Sequence, residues 1–189
     1  MTPFCGESRQ LAGAAGVRIR EIVAGDEDRI AELLDGLDAT SRRRRWFTGA
    51  VDVRRAADWA AHPERCSALG LVAFAGEEEL VGHAVLVALA DGRAEVAFEV
   101  AAPWRHHGIA GTLLRRLIEE AAVRGLHEVH AEVLPDNADM LAVLREHGPH
   151  TESRAGGVVT VSLRVADEPR RRSGGCGGAT APRPTAVTE

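Results

Sequence analysis

Val100-Ala101-Ala102-Pro103-Trp104-Arg105-His106-His107-Gly108-Ile109-Ala110-Gly111-Thr112 joins an alternating extended segment to the most regular helical pattern in the chain. Before it, residues 93–101 read as a strand that follows an Asp91-Gly92 hairpin signal. After it, Ile109, Leu113, Leu114, Leu117, Ile118 and Ala121 form one apolar stripe. Arg115, Arg116, Glu119, Glu120 and Arg124 take the other face, and Gly125 stops the helix. A helix start carries amide N–H groups without helical partners, and its dipole favours an anion. Gly108, Ala110 and Gly111 leave room for a phosphate to approach the backbone, and Arg105 adds positive charge. The junction therefore reads as a pyrophosphate cradle. The plainer reading is a small-residue turn that packs helix on strand. Walker and dinucleotide fingerprints are absent: there is no G-x-x-x-x-G-K-[ST] and no G-x-G-x-x-G.

Working outward, residues 17–22 alternate as a half-buried strand, and Asp26 is placed to cap a helix bearing Ile30, Leu33, Leu34 and Leu37. Residues 38–62, rich in Arg and Ala, read as short helices. Residues 71–75, 80–89, 128–134 and 157–165 read as strands. Asp136 or Asn137 opens a helix that Gly148-Pro149 stops. The order predicts an α/β fold with a mixed, mostly antiparallel central sheet and helices on both faces. Residues 17–165 form the expected domain, between a flexible N-terminus (1–16) and a disordered Gly/Pro/Ser/Thr-rich tail (166–189).

The 189 residues carry a net charge of −5, a poor footprint for nucleic-acid binding. No apolar run is long enough to span a membrane. Cys5, Cys66 and Cys176 are widely spaced, which argues against a disulfide framework or thiolate zinc site and fits a reducing cytoplasm. All 23 basic residues are Arg, so neither a lysine Schiff base nor a P-loop lysine is available. His127/His130 and His147/His150 do not converge on a metal, since positions i and i+3 of a strand face opposite sides and the second pair straddles a turn. No metal is expected.

Arg105-x-x-Gly108-x-Ala110 after a strand resembles the coenzyme A signature of the GNAT superfamily of N-acetyltransferases, and the element order from Val17 to Val165 fits that fold. Residues 41–47 (SRRRRWF), 94–98 (AEVAF) and 134–140 (LPDNADM) resemble bacterial protein lysine acetyltransferases within that superfamily. Those relatives are often fused to a cyclic-nucleotide-binding domain, for which 189 residues leave no room. The resemblance implies acetyl-CoA as co-substrate, with Arg105, His106, His107, Gly108, Ile109, Ala110, Gly111 and Thr112 at its pyrophosphate. It implies Phe98, Val100 and Ala102 along the pantetheine arm, Asn137 as a further contact, and Glu95 as general base. It departs at Leu144, where many members carry a thiolate-protonating Tyr (the lysine-acetyltransferase relatives also lack it), and at Gly148-Pro149, where Gly-Phe is usual.

Glu95 and Glu99 share a strand face about 13 Å apart, so spacing alone does not choose between them. Otherwise each is a solvated residue on an exposed face. Arg42–Arg45 reads either as a docking patch or as a solvated helix face beside buried Trp46 and Phe47. Two functions follow. One is acetyl transfer to a protein lysine, or to a small amine. The other is a coenzyme-binding sensor without turnover.

Overall fold

A computed structural model describes residues 11–12, 16–47, 52–63 and 68–166. The strands are β1 (Leu11–Ala12), β2 (Val17–Glu21), β3 (Ala68–Ala75), β4 (Glu79–Ala88), β5 (Arg93–Val100), β6 (Glu128–Val133), β7 (His150–Ala155) and β8 (Val158–Arg164). The helices are α1 (Glu27–Asp35), α2 (Ala39–Trp46), α3 (Val53–Ala61), α4 (Ile109–Val123) and α5 (Ala138–Glu146). One sheet holds all eight strands in the order β1-β2-β3-β4-β5-β6-β8-β7. Every neighbouring pair is antiparallel except β5–β6, which is parallel.

Two apolar layers flank the sheet. On one face, Leu113, Leu114 and Leu117 of α4 and Leu141 and Leu144 of α5 pack against Ala84, Leu86, Val96 and Phe98. On the other, Ile30 and Leu34 of α1 and Ala57, Ala60 and Ala61 of α3 pack on Val72 and Phe74. The central strand β3, with Leu69 to Phe74 buried, is apolar throughout because both its faces are covered. At Gly82 an added Cβ would sit 3.3 Å from Leu113 Cδ1 and 3.4 Å from Ile109 Cγ2, so the missing side chain lets the start of α4 lie close on β4.

Three expectations change. Asp26 stands at the N-cap position just before α1, yet its side chain does not cap the helix. Its carboxylate instead accepts from both Arg20 Nη atoms at 2.6 and 2.7 Å and from the Val23 N–H. Burial pushes the Asp26 carboxyl up, but Arg20 and the Val23 N–H outweigh it and hold it below the usual range. The last strand is half of a hairpin: Gly156 and Gly157, both at positive φ, turn β7 into β8. Within the expected N-terminal tail, Leu11 and Ala12 pair with Ile19 and Arg18. The other residues of both expected tails, 1–10, 13–15 and 167–189, lie outside the described residues, apart from Gly16 and Ala166.

Candidate active site

The parallel β5–β6 ladder lasts three pairs: Arg93↔Glu128, Ala94↔Val129 and Glu95↔His130. Beyond Glu95, β5 stays with β4 while β6 stays with β8, and the two strands part. The Ala101 N–H donates to Val81 O at 2.8 Å, so alternate β5 residues face β4. The backbone groups of Val96, Phe98 and Val100 therefore turn toward the gap. The gap opens as a cleft of about 380 Å³, walled by β5, β6, the junction after β5, Met140 and Val143 of α5, and Leu37, Ser41, Arg44, Arg45 and Phe47 from the α2 region.

At the head of the cleft, a 3-10 turn over Ala102–Trp104 redirects the chain. His106 (φ 62°) and Gly108 (φ 76°) adopt left-handed backbone conformations before α4 begins. No side chain caps α4, and its first turn has no acidic residue. The leading N–H groups of the helix are thus left for an anion, and the junction fits a pyrophosphate. The Arg105 side chain donates to Val100 O (3.2 Å) and Ser41 Oγ (2.8 Å), which holds its charge between the end of β5 and α2.

Glu95, Phe98, Val100, Arg105, His106, Gly108, Ile109, Ala110, Gly111 and Asn137 all line this cleft. Ala102 sits in the 3-10 turn instead, and His107 points its Nδ1 back at Arg105 O. Thr112 Oγ1 donates to Gly108 O inside the helix. Asn137 caps α5 by accepting from the Met140 N–H. Leu144 is fully buried and does not reach the cleft.

A second cavity of about 650 Å³ lies on the α1–α3 side of the sheet. It shares Arg45, Glu95, Val96, Ala97 and Glu99 with the cleft, so the two spaces meet across β5. Glu95 is exposed there. Glu99 is not the solvated residue considered above; it is 7% exposed. It accepts from Arg45 Nε at 2.8 Å and lies 2.7 Å from His83 Nδ1. Burial pushes the Glu99 carboxyl up, but the His83 and Arg45 charges outweigh it and lower it to about 2.

All four residues of the arginine run have partners, and only Arg43 is exposed. Arg42 donates to Leu37 O and pairs with Asp35, and Arg43 pairs with Asp136. Arg44 donates to Asp136 O and Arg45 binds Glu99. Trp46 is only half-buried, and Phe47, 43% exposed at φ 59°, borders the cleft. Sequence reasoning missed His83 as a site residue and weighed Arg45 only as part of the Arg42–Arg45 run. His83 stands alone in an apolar strand, and only the β4–β5 register brings it opposite Glu99.

A family model described as "Acetyltransferase (GNAT) family" matches residues 32–148. The chain belongs to the GNAT acetyltransferase family. Among curated proteins none matches it by sequence. Solved GNAT structures share the fold. The GNAT domain of S. lividans PAT is 25% identical with TM-score 0.73, covering 83% of this chain and 96% of that one. Spermidine N-acetyltransferase from Vibrio cholerae, in complex with CoA and spermine, is 18% identical with TM-score 0.64, covering 79% and 95%. A mutant of the cAMP-binding acyltransferase from Mycobacterium smegmatis is 22% identical with TM-score 0.57, covering 84% and 47%. Among the described residues of this GNAT chain, no helix is long and apolar enough to cross a membrane.

Proposed function

We propose that this GNAT acetyltransferase transfers acetyl from acetyl-CoA to the side-chain amine of a protein lysine, by direct attack with both substrates bound. The observation that carries the reading is the meeting of two cavities along Arg45, Glu95, Val96, Ala97 and Glu99. One space takes the coenzyme and the other the amine, and they touch where β5 leaves β6. The co-substrate supplies an activated acetyl group on sulfur. The leading N–H groups of α4 and Arg105 hold its pyrophosphate. Val96, Phe98 and Val100 offer backbone groups to the pantetheine arm, and the Val100 N–H polarises the thioester carbonyl.

A lysine ammonium with pKa about 10.4 is free base in only about one part in 2,500 at pH 7, a deficit of roughly 4.6 kcal/mol. Glu95, exposed where the cavities meet, accepts that proton. Leu144 is apolar and buried, so the leaving thiolate takes its proton from solvent and not from that position. Exposed Trp59 on the second cavity and Phe47 on the cleft offer apolar rims to a docking polypeptide, which favours a protein acceptor.

A small polyamine is the second reading, favoured by Asp52 and Glu95 in the same cavity wall. Transfer of labelled acetyl from acetyl-CoA into a lysate, split into protein and small-molecule fractions, separates the two. Label in specific proteins, lost in Glu95→Gln, supports the lysine reading. Label confined to small molecules overturns it in favour of the polyamine.

A further inference from the structure

We infer that His83 is a second proton acceptor in the acyl transfer, serving the acceptor nitrogen through Nε2. The inference rests on the acetyltransferase reading above. His83 is fully buried, and its Nε2 has no hydrogen-bond partner. An unpaired buried nitrogen is costly, so its retention calls for an occupant. The residue lines the second cavity, on the side from which the amine enters.

The other ring nitrogen fixes its state. Glu99 already accepts from Arg45 Nε, and its remaining oxygen faces His83 Nδ1 at 2.7 Å. A carboxylate can only accept, so the proton of a neutral ring sits on Nδ1 and the Nε2 lone pair is free. A carboxylate that fixes a histidine tautomer and leaves Nε2 basic is the geometry of a general base. Arg45 and Glu99 pair with each other, so a proton taken up by His83 would be the one net positive charge of the cluster. The other charged groups of the cavity wall are Glu95 on β5, Asp52 before α3 and Arg55 on it. Leu34 of α1 and Ala56 and Ala60 of α3 are apolar.

The proton balance leaves a role for such a group. An ammonium must lose two protons to become an amide. Glu95 takes the first, which frees the lone pair. That pair forms the C–N bond to the acetyl carbon, and the C–S bond breaks with its electrons on sulfur. His83 Nε2 takes the second proton from the acylated nitrogen. The thiolate is protonated from solvent, both residues return their protons to solvent, and one proton is released per turnover.

The test pairs His83→Asn with a tautomer measurement on the wild type. Asn keeps a donor near the Nδ1 position for Glu99 and removes Nε2. With acetyl-CoA and a lysine peptide, the variant should lose about 10²-fold in kcat with KM and acetyl-CoA affinity held within about twofold. Nitrogen-15 histidine spectra of the wild type should show neutral His83 protonated on Nδ1, and Nε2 gaining its proton over the pH range where kcat falls. A variant with kcat within threefold of wild type overturns the proposal. So does a wild-type tautomer with its proton on Nε2, and that result stands even if the variant does not fold. If wild type acetylates no amine, the acetyltransferase reading fails and takes the role of His83 with it, whereas a wrong tautomer in an active enzyme removes His83 alone.

Discussion

Glu95 and His130 are the last partners of the parallel ladder, and the residue after Glu95 already faces a gap. A carboxylate at that fork stands beside both cavities without filling either. Glu95→Gln should therefore lower turnover about 10²–10⁴-fold while leaving the acetyl-CoA dissociation constant unchanged. Thiol release and calorimetric titration would read the two quantities. Near-normal turnover would remove Glu95 from the chemistry.

Acetyl-CoA at a hundredfold excess over its dissociation constant should stabilise the fold by about 2.7 kcal/mol. For a domain of this size that is a rise of about 5–10 °C in melting temperature. Millimolar acetyl-CoA without a shift would contradict the assignment of the cleft.

Gly108 holds φ 76° at the foot of α4. Gly108→Ala puts a Cβ into a left-handed conformation at a cost of about 1 kcal/mol and misaims the leading N–H groups. A lower melting temperature together with weaker acetyl-CoA binding is expected. Unchanged coenzyme affinity would detach the helix start from pyrophosphate binding.

Asp26 and Glu99 are both held below the ordinary carboxyl range. Their contribution to stability is complete above the unfolded value near 4 and is lost as pH falls through the folded values, for Glu99 down to about 2. The melting temperature should drop steeply on acidification over that window. Asp26→Asn, which strips Arg20 of its partner, should cost roughly 3 kcal/mol at pH 7 and flatten part of the acid slope. Thermal scans across pH on both proteins check this.

The sequence made the coenzyme side legible because it is local. The α4 stripe, the small residues at 108–111 and Arg105 lie within one continuous stretch. The second cavity, proposed for the acceptor, was not, because it is assembled from β4, β5, α1, α2 and α3 across register and packing. His83 and Glu99 are 16 residues apart and meet only through strand pairing. β7, His-Thr-Glu-Ser-Arg-Ala, is exposed at every position, so it has no buried face to write an alternation into the sequence. The arginine run looked solvated because its anions, Asp136 and Glu99, are 93 and 54 residues away.

The parting of β5 from β6 leaves the molecule with a sheet edge in its interior. Unpaired edges invite other strands, and proteins commonly cover or charge them. Here α2 lies over the opening, tied to β5 by Arg45–Glu99 and to the loop after β6 by Arg43–Asp136. The same helix that borders the cleft thus guards the fold against mispairing with its neighbours.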